Sequence, residues 1–104
     1  MYYNLTKKLL LVLLSFTTVV SFAQMSVSGK VTDAKTNEPL IGATVLLEGS
    51  SNTGTITDFN GDYSISVPNA SASLKFSYAG YTAKSVVVGN QKTIDMALSS
   101  DLLL

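Results

Sequence analysis

Between Val27 and Leu98, apolar residues keep returning at every second position in runs too short for helices. Tyr63, Ile65 and Val67 alternate with Asp62, Ser64 and Ser66. Val27, Gly29 and Val31 alternate with Ser28, Lys30 and Thr32, and Leu74, Phe76 and Tyr78 with Ser73, Lys75 and Ser77. Successive side chains of a strand point to opposite faces, so this period gives strands with one buried face. Ala43, Val45 and Leu47 form another such run; Leu46 breaks it and is expected to lie under another element. Thr55, Ile56 and Thr57 favour extended backbone through their branched Cβ atoms. Ala83 to Val88 reads as a strand whose Val86-Val87-Val88 run predicts burial on both faces. Ile94, Met96 and Leu98 close the series.

Turn residues separate the runs. Asp33 to Pro39 and Gly49 to Gly54 read as loops. Pro68-Asn-Ala-Ser71 and Gly89-Asn90 turn the chain, and Gly80 permits a break or bulge before Tyr81. Asp58-Phe-Asn-Gly61 carries turn chemistry, so the flanking segments Thr55–Thr57 and Tyr63–Val67 read as a hairpin. About seven strands at short intervals predict an all-β, single, seven-stranded Ig-like sandwich. Lys30, Lys75 and Lys84 are candidates for the charges that protect sheet edges from aggregation.

The first residues have a different character. Lys7 and Lys8 precede the apolar run Leu9–Leu14, which continues through Phe16, Val19, Val20 and Phe22, and Ser21-Phe-Ala23 is small at its first and third positions. This pattern reads as a secretory signal peptide, residues 1–23, cleaved after Ala23. The apolar run is shorter than the ~20 residues of a spanning helix. With no cysteine in the chain, lipid anchoring through that residue and disulfide reinforcement are both excluded. The expected mature chain is one domain, residues 24–99, followed by the start of a linker at 100–104.

The mature part has five lysines against seven acidic residues, a net charge near −2, and its lysines are scattered. No basic patch for nucleic acid is present, nor a basic helix for a membrane surface. Histidine, cysteine, arginine and tryptophan are missing. That excludes a Ser-His-Asp triad and a His/Cys zinc site. No phosphate-binding glycine loop occurs either. The expectation is a chain that is not an enzyme, with no catalytic residues, no cofactor and no metal.

Three constellations bear on that expectation. Asp58, Asn60 and Asp62 have the alternate spacing that opens a calcium loop, but Tyr63 and Asn69 stand where such a loop needs Gly and Glu. A β-turn with a solvated acidic rim is the better account. Lys30 and Asp95 lie in the first and last strands as an isopeptide pair would, yet both fall on the polar side of their alternation. Tyr63, Phe76, Tyr78 and Tyr81 could stack sugars, whereas the shared apolar faces of the first three favour core packing.

The ordered motifs Gly29-Lys-Val-Thr-Asp33, Pro39-Leu-Ile-Gly42-Ala43-Thr-Val45, Gly54-Thr-Ile-Thr57-Asp58, Asn60-Gly61, Tyr63-Ser-Ile65 and Tyr78-Ala-Gly80-Tyr81 carry a family resemblance. Together they resemble the carboxypeptidase D regulatory-like domain, a transthyretin-like β-sandwich, over nearly all of the mature chain. Behind a signal peptide, the form is similar to the N-terminal extension of SusC/RagA-type TonB-dependent outer-membrane receptors. The resemblance implies a non-catalytic accessory domain at the periplasmic face of the outer membrane, associated with import of glycans or peptides. Its implied partners are the receptor's own plug and barrel, the TonB system and a surface lipoprotein. The resemblance makes Gly29, Asp33, Pro39, Gly42, Ala43, Val45, Gly54, Thr57, Asp58, Gly61, Tyr63, Gly80 and Tyr81 structural motif residues. Asp101-Leu-Leu-Leu104 looks like a linker before a TonB box, which favours the N-terminal piece of a longer receptor. The alternative is a stand-alone exported carbohydrate-binding or surface-interaction module.

Overall fold

A computed structural model describes residues 24–101; the expected signal peptide and Leu102–Leu104 lie outside the described residues. Within it are seven strands: β1 (Met25–Asp33), β2 (Thr44–Leu47), β3 (Gly54–Ile56), β4 (Asp62–Val67), β5 (Ser73–Ser77), β6 (Lys84–Val87) and β7 (Met96–Leu98). They build two sheets, ordered β4-β1-β7 and β3-β2-β5-β6. The expected all-β sandwich is therefore the fold.

The alternation sets the faces. In β4, Tyr63, Ile65 and Val67 are buried while Asp62, Ser64 and Ser66 are exposed. Val27, Val31, Ile94 and Leu98 join them from one side of the core, and Ala43, Val45, Leu74 and Phe76 from the other. Removing these side chains from water is the main favourable term for a chain of this size.

The chain alternates between sheets. It leaves β1 for the β2–β3 hairpin, crosses to β4, returns for the β5–β6 hairpin, and ends in β7 parallel to β1. The expected hairpin across Asp58–Gly61 is thus corrected: β3 pairs with β2 and β4 with β1. Turn chemistry reverses the chain there, but Ile56 faces solvent while Tyr63 enters the core, and the two segments serve different sheets.

Four further expectations change. Val87 is 57% exposed, because it points to the outer, solvent-facing side of its sheet; of the three valines only Val88 is fully buried. Leu46 is not covered by another element; it lies on the outer face beside its cross-strand partner Gly54. Lys30 and Lys75 sit on the interior strands β1 and β5, so among the three candidate guards only Lys84 stands on an edge. Gly80 makes a β-turn rather than a bulge, with the Tyr81 N–H donating to the Tyr78 carbonyl at 3.0 Å.

Candidate functional site

The motif residues gather into three fasteners. The first is built on Thr57, the one buried polar residue among those described. Leu40-Ile-Gly-Ala43 makes a turn in which Gly42 has a φ of 79°, a conformation that glycine adopts without steric penalty. The Thr57 hydroxyl sits inside this turn. It accepts from the Ala43 N–H at 2.9 Å and donates to the Leu40 carbonyl. The Thr57 backbone adds two bonds, accepting from the Gly42 N–H at 3.1 Å and donating to the Ala43 carbonyl at 2.9 Å. Ala43 and Val45 are fully buried behind the turn.

Asp58 continues the clamp. Its Oδ1 accepts from the backbone N–H groups of Asn60 and Asp62, each at 2.9 Å, so the carboxylate holds its own turn. Gly61 follows with a φ of 77° and donates its N–H to the Asp58 carbonyl. A Cβ there would stand 2.7 Å from the Val31 oxygen and 2.9 Å from the Pro39 Cβ. Gly61 thus fits a slot between β1 and Pro39, which itself bridges to Thr32.

The second fastener joins Gly29 and Tyr63, which face each other across β1 and β4. Any Cβ on Gly29 would collide with the Ile94 carbonyl oxygen. That space lets the 92–94 segment run against β1, with the Ile94 N–H donating to the Ser28 oxygen at 2.8 Å. The Tyr63 hydroxyl donates to the Ile94 carbonyl at 2.6 Å, and its ring meets Phe76 edge-on at 5.4 Å. Burial, and then the negative charge of Asp95, push the Tyr63 phenol up to about 12.

The third joins Asp33 and Tyr81. The Tyr81 hydroxyl donates to Asp33 Oδ2 at 2.5 Å, while Asp33 Oδ1 accepts from the N–H groups of Lys35 and Thr36. The phenolic bond first, then the two amides, hold the Asp33 carboxyl below its ordinary value; the same bond raises the Tyr81 phenol. Gly80 orients this corner, and Tyr78 packs edge-on against Tyr81. Ser99–Asp101 then pairs with Gly80–Thr82: Thr82 N–H to the Ser99 oxygen, Asp101 N–H to the Gly80 oxygen, and the Thr82 hydroxyl to Asp101 Oδ1. Of the motif residues, only Val45 and Gly54 belong to no fastener; they lie on the paired strands β2 and β3.

The weighed chemistries find these residues otherwise engaged. Asp95 accepts from the Lys30 backbone N–H at 2.9 Å, and both residues are exposed, so the burial that an isopeptide needs is lacking. Tyr63 and Phe76 are inside the core, which takes them out of any sugar platform. Part of the surface that remains open to a partner is apolar. Phe59 is 83% exposed and Ile56 65%, and Ile41 is half exposed; all three belong to or adjoin the two turns that Thr57 ties together. A shallow groove lined by Ile41, Gly42, Thr44, Ser77, Tyr78 and Ala79 opens beside Ile41. Sequence reasoning did not single out Phe59 or Ile41. The available signal was an aromatic or aliphatic residue inside each turn, where polar residues are usual.

Comparison with known proteins places this geometry. The chain is 34% identical over 98 residues to TonB-dependent receptor P3 of Formosa agariphila, covering 94% of this chain and 10% of the receptor. It is 35% identical over 103 residues to TonB-dependent receptor SusC of Bacteroides thetaiotaomicron, covering 96% of this chain and 10% of that protein. The chain thus spans about a tenth of the length of these relatives. Among solved structures, a cohesin-X-dockerin complex from Acetivibrio cellulolyticus shares the fold at a TM-score of 0.56 and 23% identity, over 73% of this chain and 58% of that one. Residues 27–104 match the CarboxypepD_reg-like domain. The chain belongs to the CarboxypepD_reg-like domain family, in the form that is found in TonB-dependent receptors.

Proposed function

We propose that this domain is a non-catalytic accessory module at the N-terminal end of a SusC/RagA-type TonB-dependent transporter, acting by protein contact on the periplasmic side of the outer membrane. The observation that carries the reading is identity across almost the whole chain to receptors that are far longer than it. The use of the motif residues agrees: Thr57, Asp58, Tyr63, Asp33 and Tyr81 each satisfy backbone or one another, so their polar groups hold the fold. The exposed apolar residues Ile41, Ile56 and Phe59 at one end of the sandwich suit contact with the receptor or its energising partners. Nutrient import would be the work of the barrel, with the sandwich coupling or regulating it.

Two experiments test this. Reading the coding sequence past Leu104 should show a plug and barrel in frame; a stop codon there would sink the reading. In-frame removal of the sandwich from the receptor should leave the barrel assembled in the outer membrane while slowing growth on its nutrient. Unchanged growth on every nutrient the receptor serves would remove the accessory role.

A further inference from the structure

Asn60 is the only asparagine in the chain followed by glycine; the others precede Leu5, Glu38, Thr53, Ala70 and Gln91. A following side chain shields the next backbone nitrogen, and glycine has none. Asn60 is also exposed, at the tip of the Asp58–Gly61 turn. In an open chain this pair is set up for intramolecular attack. The Gly61 amide nitrogen, giving its proton to hydroxide, bonds to the Asn60 side-chain carbonyl carbon. The bond from that carbon to Nδ2 breaks, and ammonia leaves with a proton from water. Water then opens the cyclic imide at one of its two carbonyls. One product is aspartate; the other is isoaspartate, whose main chain runs through the former side chain and is one atom longer.

The folded turn opposes the attack. The Gly61 N–H is held by the Asp58 carbonyl at 3.0 Å, which disfavours its loss of a proton. The Asn60 N–H is held by Asp58 Oδ1, and the Gly61 carbonyl accepts from the Val31 N–H at 2.8 Å. Gly61 is further confined between the Val31 oxygen and Pro39. The attacking nitrogen is therefore held by bonds within the turn, and the Gly61 carbonyl ties that turn to β1.

We propose that Asn60 is a deamidation site which the fold keeps closed, so that its modification records opening of this turn. The isoaspartyl product is also self-sealing. Its extra backbone atom displaces Gly61 from the slot beside Val31 and Pro39, and its carboxylate adds a negative charge between Asp58 and Asp62. A turn that has opened and reacted does not close again in the native register, which makes an opening irreversible.

The test follows the wild-type protein at mildly alkaline pH across a urea series, with peptide mapping that separates Asn, Asp and isoAsp at position 60. Reaction at Asn60 should speed up by at least roughly tenfold from folded to unfolded protein and should follow the fraction of opened molecules. A rate that is flat through the unfolding transition overturns the protection, and earlier reaction at Asn37, Asn52, Asn69 or Asn90 overturns the site. Isoaspartyl protein, separated and returned to native buffer, should melt at a lower temperature than the unmodified form. An unchanged melting temperature would refute the sealing step.

Discussion

Thr57 shows how much one hydroxyl can organise. It stands between the Leu40 carbonyl and the Ala43 N–H, two groups that a closed turn would pair directly. Thr57→Val keeps the shape and removes both bonds, leaving two main-chain groups buried without partners. The expected loss is about 2–4 kcal/mol, against the ~3–5 kcal/mol that a domain this small holds in total. Thr57→Ser keeps the hydroxyl and should lose much less; urea denaturation of the pair separates the hydroxyl from the methyl. The Asp33–Tyr81 bond makes a second prediction, in pH. The Asp33 carboxyl is held below its ordinary 3.8, so its contribution is complete above that value and lost as pH falls through the lowered one. The Tyr81 phenol is raised above its ordinary 10.0, so the same bond is complete below 10.0 and lost as pH rises through the raised value. Tyr81→Phe removes the largest cause of the Asp33 shift. Melting temperatures measured between about pH 2 and 5 should therefore fall less steeply in this variant than in wild type. An equally steep fall would assign the acid limb to other carboxylates. In this corner the sequence was informative about residue type and silent about partners, since Asp33 and Tyr81 are far apart in the chain and meet only when β1 and the Tyr78–Tyr81 turn are packed.

At the level of elements, alternation is read correctly wherever a strand has one wet and one dry face. It fails for Val86-Val87-Val88, because three successive valines do not reveal that one face of their strand is turned to solvent. The structure gives them different environments, and that is measurable. Val87→Lys should change stability by no more than about 0.5 kcal/mol, whereas Val88→Ala should cost about 2 kcal/mol. A large loss from Val87→Lys would mean that this side of β6 is covered in solution. The link between β3 and β4 carries a similar lesson. Asp58–Gly61 looks like a hairpin turn locally, and local chemistry does make the turn. Which sheet receives each arm depends on Thr57 bonding to Leu40–Ala43 and on Gly61 fitting against β1, both contacts made at long range in sequence. Gly29→Ala tests the corresponding contact in β1. Its new methyl collides with the Ile94 carbonyl, so the variant should lose at least about 1–3 kcal/mol, and amide exchange at Ile94 should rise with it.

Across the whole molecule, two sheets are joined at opposite edges by different means. Thr57 and the Asp58 turn secure the β3–β4 side; Tyr81, Thr82 and the Ser99–Asp101 pairing secure the side where the chain leaves β7. Asp101→Ala removes the carboxylate that the Thr82 hydroxyl reaches. Amide exchange should then quicken at Thr82 and Asp101 while the β1–β4 amides keep their protection; uniform change throughout the chain would mean that this corner opens only with global unfolding. The sequence by itself determined the strands, the buried faces of the strictly alternating ones, the turn positions and the family, because each depends on side-chain period or on short motifs read along the chain. Tertiary structure alone decided the sheet to which each strand belongs, which strands are edges, and the partners of Thr57, Tyr63, Asp33 and Tyr81. Those are properties of contacts between segments that are distant in sequence. A period of two tells a strand which side to bury, and says nothing about the neighbour it is buried against.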